Sequence, residues 1–255
     1  MEQDLIIGIN PILEKLNASP EDISEILLAR GPRRPILQSL KRNAQRLRIK
    51  IQCVEAKELD YLAHGQSHQG ALARVRAYSY APFSELERTV GSEASRQRIL
   101  ILDGITDPRN FGAILRTAEA VAVGHIVIPK DRSVGITPAV LKASAGAVNY
   151  LRIYRVTNLR RAMALLKSAG FWIVGLDAKA TGSYDSKEYP DRLGIVLGSE
   201  GRGLRPLIAN ECDYLVRIPM KGKISSLNVS VAAAILLYEV LRQHSGTIDK
   251  DKPNG

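Results

Sequence analysis

Short apolar runs and stretches of helical spacing take turns along the whole chain. In its first eighty residues, residues 5–9 (LIIGI), 25–29 (EILLA), 50–54 (KIQCV) and 71–78 (ALARVRAY) read as strands. Between them, residues 11–16, 35–47 and 56–63 repeat apolar positions every three or four residues, the period of a helix with one buried face. From residue 98 the same alternation lengthens. Residues 99–103 (ILILD), 125–129 (HIVIP), 151–156 (LRIYRV), 171–176 (FWIVGL), 194–198 (GIVLG) and 214–219 (YLVRIP) read as strands. Helices are expected at 111–122, 138–145, 158–169, with Asn158 as its cap, and 227–243. Apolar strands separated by helices predict a mostly parallel sheet covered on both faces, hence an α/β fold.

Two breaks divide this pattern. Residues 79–97 lose periodicity and gather Pro82, Gly91, serines and glutamates, which reads as a linker with room for a short helix after Pro82. Residues 245–255 carry Asp, Lys, Pro and Gly and are expected to be a disordered tail. The expected organisation is a small α/β domain over 1–78, a linker over 79–97, a larger α/β domain over 98–244 and the tail.

Composition narrows the function classes. At 255 residues and 45% hydrophobic, the chain suffices for one large core or two modest ones. Its opening, MEQDLIIGIN, is acidic before an apolar run too short for a secretory or membrane segment, so an unprocessed, cytoplasmic protein with no membrane partner is expected. Cys53 and Cys212 stand far apart without a C-x-x-C, and Gly65 interrupts the four-residue spacing of His64 and His68, so no metal is expected. Thirty-six Lys and Arg against twenty-six Asp and Glu give a net charge of +10, which draws polyanions. Eight basic residues and no acidic one lie between Arg30 and Lys50. Of these Arg30, Arg33, Arg34, Lys41, Arg42 and Arg46 are the candidates for phosphate contact, since a merely solvated face mixes signs.

Several chemistries are missing. Gly222-Lys223 is followed by Ile224, so there is no P-loop; Ser144 lies in KASAG, so there is no G-x-S-x-G; and no G-x-G-x-x-G follows ILILD. What remains is three glycine-punctuated stretches at element ends, where an α/β sheet places its ligand. In residues 110–118 (NFGAILRTA), Pro108 sets the helix entry, Asn110 is positioned to cap it, Gly112 admits a close neighbour, and Arg116 follows Phe111 and Gly112 on what reads as the same side. In 197–204 (LGSEGRGL), three glycines expose backbone N–H groups around Glu200 and Arg202; a plain tight turn reads equally well. In 218–231 (IPMKGKISSLNVSV), Ser225, Ser226 and Asn228 precede a very apolar helix, which they either cap or equip with polar groups for a ligand.

The order N-x-G-x-x-x-R, then G-x-E-x-x-G, then I-P-M-x-G-x-x-S-S-L-N-V-S-V closely resembles the SpoU-type RNA ribose 2′-O-methyltransferases of the SPOUT superfamily. The likeness covers residues 99–243 with no departure at a motif position. GINPILEKL near the start and HQGALARV at 68–75 look like the extra RNA-binding domain, similar to ribosomal protein L30e, found on members that modify large-subunit rRNA. Within the family the chain looks like those that methylate a guanosine ribose of 23S rRNA. Members acting on tRNA carry similar domains, and a non-catalytic RNA-binding or ribosome-assembly protein on the same fold is a further alternative.

The resemblance implies a parallel sheet with a deep trefoil knot, a homodimer through the first and last helices of the larger domain, and S-adenosylmethionine as cofactor. The cofactor would lie against Leu197, Gly198, Gly203, Ile218, Met220 and Leu227. Arg116 would act on the ribose 2′-hydroxyl, with Asn110, Glu200, Ser226 and Asn228 positioning it and the ribose, and no metal taking part. Guanidinium groups hold their proton, so on this reading Arg116 aims the hydroxyl and stabilises the alkoxide while phosphate or water accepts the proton.

Overall fold

The computed structural model describes residues 3–30, 34–76, 78–92, 96–223 and 226–245. Its chain divides into two units, Met1–Ser79 and Tyr80–Gly255.

The first unit runs β1 (Gln3–Ile7), α1 (Ile9–Ala18), β2 (Ile23–Ala29), α2 (Pro35–Arg46), β3 (Lys50–Val54), α3 (Ala56–Leu62) and β4 (Ala71–Arg76). Its four strands lie in the order β1-β4-β2-β3, with β4 antiparallel to both neighbours and β2 parallel to β3. Along β2, Ile26, Leu27 and Leu28 are all buried, because both faces of the sheet are covered. Ile26 and Leu28 pack with Ile12, Leu40 and Ala44 of α1 and α2, while Leu27 packs with Leu59 and Leu72 beneath α3. The strand expected at 5–9 ends earlier, at Ile7: Ile9, Ile12 and Leu16 are buried at helical spacing and belong to α1.

In the second unit the stretch expected as a linker holds helix α4 (Phe83–Val90), whose Leu86 and Val90 are buried in the unit's core with Val156, Leu159 and Phe171. Its two buried positions lie four residues apart, too few for a periodicity to show. Then come β5 (Gln97–Asp103), α5 (Pro108–Ala120), β6 (His125–Pro129), α6 (Pro138–Ala143), β7 (Arg152–Val156), α7 (Leu159–Ser168), β8 (Trp172–Leu176), β9 (Gly182–Ser183), β10 (Arg192–Gly198), α8 (Pro206–Ala209), β11 (Tyr214–Arg217) and α9 (Val229–Ser245). Seven strands form one all-parallel sheet in the order β7-β6-β5-β10-β8-β11-β9. Every residue from Ile99 to Asp103 on β5 and from Leu193 to Gly198 on β10 is buried, as strands covered on both faces require. Sequence reasoning missed β9 and α8, two and four residues long.

From β5 the chain adds β6 and β7 on one side, whereas β10 occupies the other side of β5. The strand order therefore switches direction between β5 and β10. The carboxyl ends of the strands at such a point border a crevice, where open α/β sheets bind their ligands. Of the tail expected at 245–255, Ser245 instead closes α9, and residues 246–255 lie outside the described residues. Among the described residues no helix is long and apolar enough to cross a membrane, and no cluster of His, Cys, Asp or Glu is placed to hold a metal ion.

Candidate active site

All three glycine-punctuated stretches meet at that switch point. Helix α5 opens on Pro108, and its cap is Asp107, whose Oδ1 accepts the Asn110 N–H at 2.8 Å. This corrects the expectation that Asn110 caps the helix. Relieved of capping, the Asn110 side chain donates from Nδ2 to Glu200 Oε2 at 2.8 Å. Two residues on, Gly112 faces α6, where an added Cβ would stand 2.4 Å from Ala143 Cβ, so the glycine sets the distance between the two helices.

Asn228, from the third stretch, does two jobs. Its Oδ1 accepts from Ser230 N at 2.9 Å and Ser230 Oγ at 2.6 Å, which caps the first turn of α9. Its Nδ2 donates to Asn110 Oδ1 at 2.9 Å and Glu200 Oε1 at 3.3 Å. Capping and site chemistry, which the sequence posed as alternatives, are both satisfied by one amide because its two ends differ. Glu200 thereby accepts from two asparagines belonging to two other segments. Ser226 borders the same crevice; Ser225 lies outside the described residues.

Below this polar triad is an apolar cleft. Leu197, Gly198, Gly203, Ile218, Met220 and Leu227, the six residues expected to contact a cofactor, all line it, together with Leu176, Val229 and Ala232. Its floor depends on Gly198. Ser199 and Gly203 exchange backbone hydrogen bonds of 3.0 and 2.9 Å, folding the loop back on the strand end. A Cβ at Gly198 would stand 2.1 Å from the Gly203 carbonyl carbon and 2.3 Å from Leu204 N.

Sequence reasoning missed the residue that anchors the far end of this loop. Asp103 closes β5 with its carboxylate fully buried, and accepts from Arg205 N at 3.0 Å, Nε at 2.6 Å and Nη2 at 2.5 Å. Two guanidinium N–H groups converging on Oδ1 and a backbone N–H on Oδ2 together satisfy a group that would be costly to bury alone. The only trace in the sequence is a carboxylate ending an otherwise wholly apolar strand, ILILD.

Arg116 is exposed on α5, whereas Phe111 and Gly112 are buried: four residues, about 40°, keep it on the side of Gly112, but it does not share that of Phe111. Five residues of helix separate Phe111 from Arg116 by about 140°, which places the two on different faces. Among the described residues nothing hydrogen-bonds or ion-pairs with the Arg116 guanidinium. Of the basic block, Arg30, Arg34, Lys41, Arg42 and Arg46 all belong to the first unit, and Arg33 lies outside the described residues.

Side chains with displaced titration lie apart from the cleft. Burial pushes the Cys212 thiol up to about 12 and the Tyr214 hydroxyl up to about 12. Burial also lowers His125, whose Nδ1 is 3.0 Å from the Tyr154 hydroxyl.

Residues 97–238 match the SpoU rRNA Methylase family, and residues 5–81 match the RNA 2′-O ribose methyltransferase substrate-binding family. YacO of Bacillus subtilis (strain 168), assigned to the TrmH family of tRNA/rRNA methyltransferases, is 41% identical over 244 residues, which cover 96% of this chain and 97% of YacO. Among solved structures, the SpoU methyltransferase AviRb from Streptomyces viridochromogenes, in complex with AdoMet, superposes with a TM-score of 0.73 at 24% identity, covering 95% of this chain and 91% of that one. An RNA 2′-O ribose methyltransferase does so with a TM-score of 0.66 at 27% identity, covering 95% and 89%. The matched span contains β5, α5, the glycine loop and most of α9, the segments that build the cleft and its triad, and the chain belongs to the SpoU rRNA methylase family.

Proposed function

We propose that the chain transfers a methyl group from S-adenosylmethionine to a ribose 2′-hydroxyl of RNA, at a guanosine of 23S rRNA. The observation that carries this reading is one crevice holding both an apolar, glycine-floored cleft and, on its rim, a hydrogen-bonded triad of Asn110, Glu200 and Asn228. The lining suits the cofactor's chemistry. Leu197, Ile218, Leu227 and Val229 offer apolar walls for an adenine ring, and the bare backbone of the glycine loop leaves peptide groups open to its edge. S-adenosylmethionine supplies, when bound, a methyl group already activated by its sulfonium.

What the chain must add is orientation and relief of the hydroxyl's proton. Arg116 aims the 2′-hydroxyl and stabilises the forming alkoxide through charge-assisted hydrogen bonds, with phosphate or water accepting the proton. The triad fixes the starts of α5 and α9 relative to the glycine loop, so that acceptor and cofactor sides of the crevice keep one geometry. The same reading includes the trefoil knot, supported by the return of the chain from the β9 edge to place β10 beside β5. It also includes the homodimer, supported by half-exposed Val231 and Tyr238 on α9.

The test is to incubate the full chain with labelled S-adenosylmethionine and either naked 23S rRNA or tRNA, and to map any methylated ribose. Label at one guanosine of 23S rRNA is expected. Label in tRNA alone moves the substrate while keeping the chemistry, and label in neither favours a non-catalytic RNA binder. Arg116→Ala, made with the fold intact, is expected to abolish transfer while retaining cofactor binding; wild-type transfer by this variant would remove Arg116 from the mechanism.

A further inference from the structure

The first unit contains a cleft of its own, at the edge where parallel strands β2 and β3 end. It encloses about 530 Å³, within the range of small-ligand sites, and is lined by Arg30, Arg34, Leu37, Asp60, Gln66 and His68 among others. The loop over residues 64–70 is tightly built. Ala29 N donates to Gly70 O at 2.9 Å, Gln66 N to Ala63 O at 3.0 Å and Ala71 N to His68 O at 2.9 Å. His64 and Gln69, neither a glycine, are held in the left-handed region at φ 47° and 55°.

His68 couples this loop to α3. Its Nδ1 accepts the Gly70 N–H at 3.0 Å, so its proton is on Nε2 and donates to Asp60 Oδ1 at 3.0 Å. The Asp60 side chain is 68% exposed, and its second oxygen has no partner among the described residues. A carboxylate is out of place in a site built only for phosphates. It shares the cleft with two arginines, Arg34 and an Arg30 whose Nη1 stands 3.5 Å from exposed Glu55 Oε1, and so calls for a ligand that brings hydrogen-bond donors together with negative charge. A nucleotide is such a ligand, with a base edge and a phosphate. Adjacent to Asp60 and Gly65 in the chain, exposed Tyr61 and His64 hold their rings 6.4 Å apart, offering aromatic faces to a base. Arg34, at the N-cap of α2, and Gln38, Lys41 and Gln45 on it fall in one row on the flank of the helix beside the buried Leu40 and Ala44, so a line of donors leaves the cleft along the helix.

We propose that this cleft binds one unpaired nucleotide of the RNA, with its base edge on Asp60, its flanking phosphates on Arg30 and Arg34, and the strand continuing along the α2 row. Guanine is the base that fits. Its N1–H and N2–H present two adjacent donors to one carboxylate, which adenine, cytosine and uracil do not. The inference rests on the reading of the chain as RNA-directed, and adds where that RNA is held and which base is selected.

The probe is a set of stem–loop RNAs carrying a single bulged G, A, C or U, with a fully paired stem as control, titrated into the full chain and followed by fluorescence anisotropy. Bulged G is expected to bind about tenfold more tightly than the other bulges and the paired stem. Asp60→Asn, with its circular dichroism unchanged, is expected to cut that preference below about threefold while leaving the salt dependence alone. Arg34→Ala is expected to weaken all four bulged RNAs alike and lower the log–log salt slope by about one. Equal binding of bulged and paired stems, or a guanine preference that survives Asp60→Asn, overturns the proposal. Methyl transfer to RNA measured in parallel separates the two readings. If transfer persists while the bulges bind alike, the cleft assignment alone fails; if no RNA is bound or methylated, the RNA-directed reading fails with it.

Discussion

Replacing Gly198 by alanine isolates the contact on which the cofactor cleft is built. The new Cβ would meet the Gly203 carbonyl carbon at 2.1 Å, its oxygen at 2.3 Å and Leu204 N at 2.3 Å. All three are backbone atoms, which have no rotamer to change. Between 2.1 Å and the 3.4 Å of ordinary contact lies about 1.3 Å, and the loop must retreat by that distance. The Ser199–Gly203 hydrogen bonds of 3.0 and 2.9 Å would then stretch beyond bonding range. Two such bonds at about 1 kcal/mol each, with about 1–3 kcal/mol for the overpacking, give about 3–5 kcal/mol. An unliganded loop escapes by rearranging, so the cost falls on binding: the Kd for S-adenosylmethionine is expected to rise at least about a hundredfold. Gly201→Ala is the control, because Gly201 has φ +79° but nothing within 4 Å of an added Cβ. It carries backbone strain without collision, about 1–2 kcal/mol, and so costs about fivefold to thirtyfold. Isothermal titration with S-adenosylmethionine, beside a thermal melt, reads both. The reasoning fails if Gly198→Ala binds the cofactor as tightly as Gly201→Ala.

Two further predictions concern stability. Asp103→Asn removes the charge that three Arg205 contacts use, and is expected to cost about 2–4 kcal/mol, toward the lower end because the Arg205 side chain is 47% exposed. Calorimetry should show a fall of roughly 4–16 °C in the transition of the second unit. Burial raises the Cys212 thiol from 9.0 to about 12, so at pH 8 its thiolate is about a thousandfold scarcer than in an ordinary thiol, and a disulfide reagent should titrate one cysteine, exposed Cys53, before denaturation and two after it. Because the folded value is the raised one, the stability this thiol contributes is complete below pH 9 and is lost as pH rises toward 12, which a falling urea midpoint across that window would register.

The framework of the second unit was legible because its central strands are covered on both faces, and double burial writes itself as uninterrupted apolar runs such as ILILD and GIVLG. Helix α4 was foreseen only as a short helix after Pro82 in a linker, and its place in the core was not, because two buried positions, Leu86 and Val90, do not make a pattern in a segment rich in charge. The same limit hid β9 and α8. In the site, the three stretches supplied residues that the fold brings to one crevice, but local grammar gave Asn110 the wrong partner. Asn110 is a capping residue type near the helix start, yet Asp107, one position before the proline at the first helical position, is the cap, and this leaves Asn110 for Glu200, ninety residues away. Asp103 was invisible for a different reason. Its partner Arg205 lies 102 residues on, and no periodicity encodes a pairing made by sheet order.

Asn228 allows structure and chemistry to be separated by substitution. Its Oδ1 holds the first turn of α9 through Ser230, while its Nδ2 serves Asn110 and Glu200. Asn228→Asp keeps the capping oxygen, since aspartate caps as well as asparagine and is favoured by the helix dipole. It loses the donor, however, and sets a second carboxylate beside Glu200 Oε1, where 3.3 Å separated donor from acceptor. The melting temperature should therefore stay near wild type while methyl transfer falls by about tenfold to a hundredfold, the scale of a displaced catalytic contact. Asn228→Ala should lose the same activity and also about 1 kcal/mol of stability. Combining Asn228→Asp with Glu200→Gln reverses the polarity of the pair: the new amide at position 200 can donate to the new carboxylate at 228 and still accept from Asn110. If the triad acts by holding α5, the glycine loop and α9 in register, the double variant should recover at least about tenfold of the activity lost by Asn228→Asp. No recovery, with the fold intact, would mean that the carboxylate at position 200 serves the reaction directly and that positioning is not its whole role.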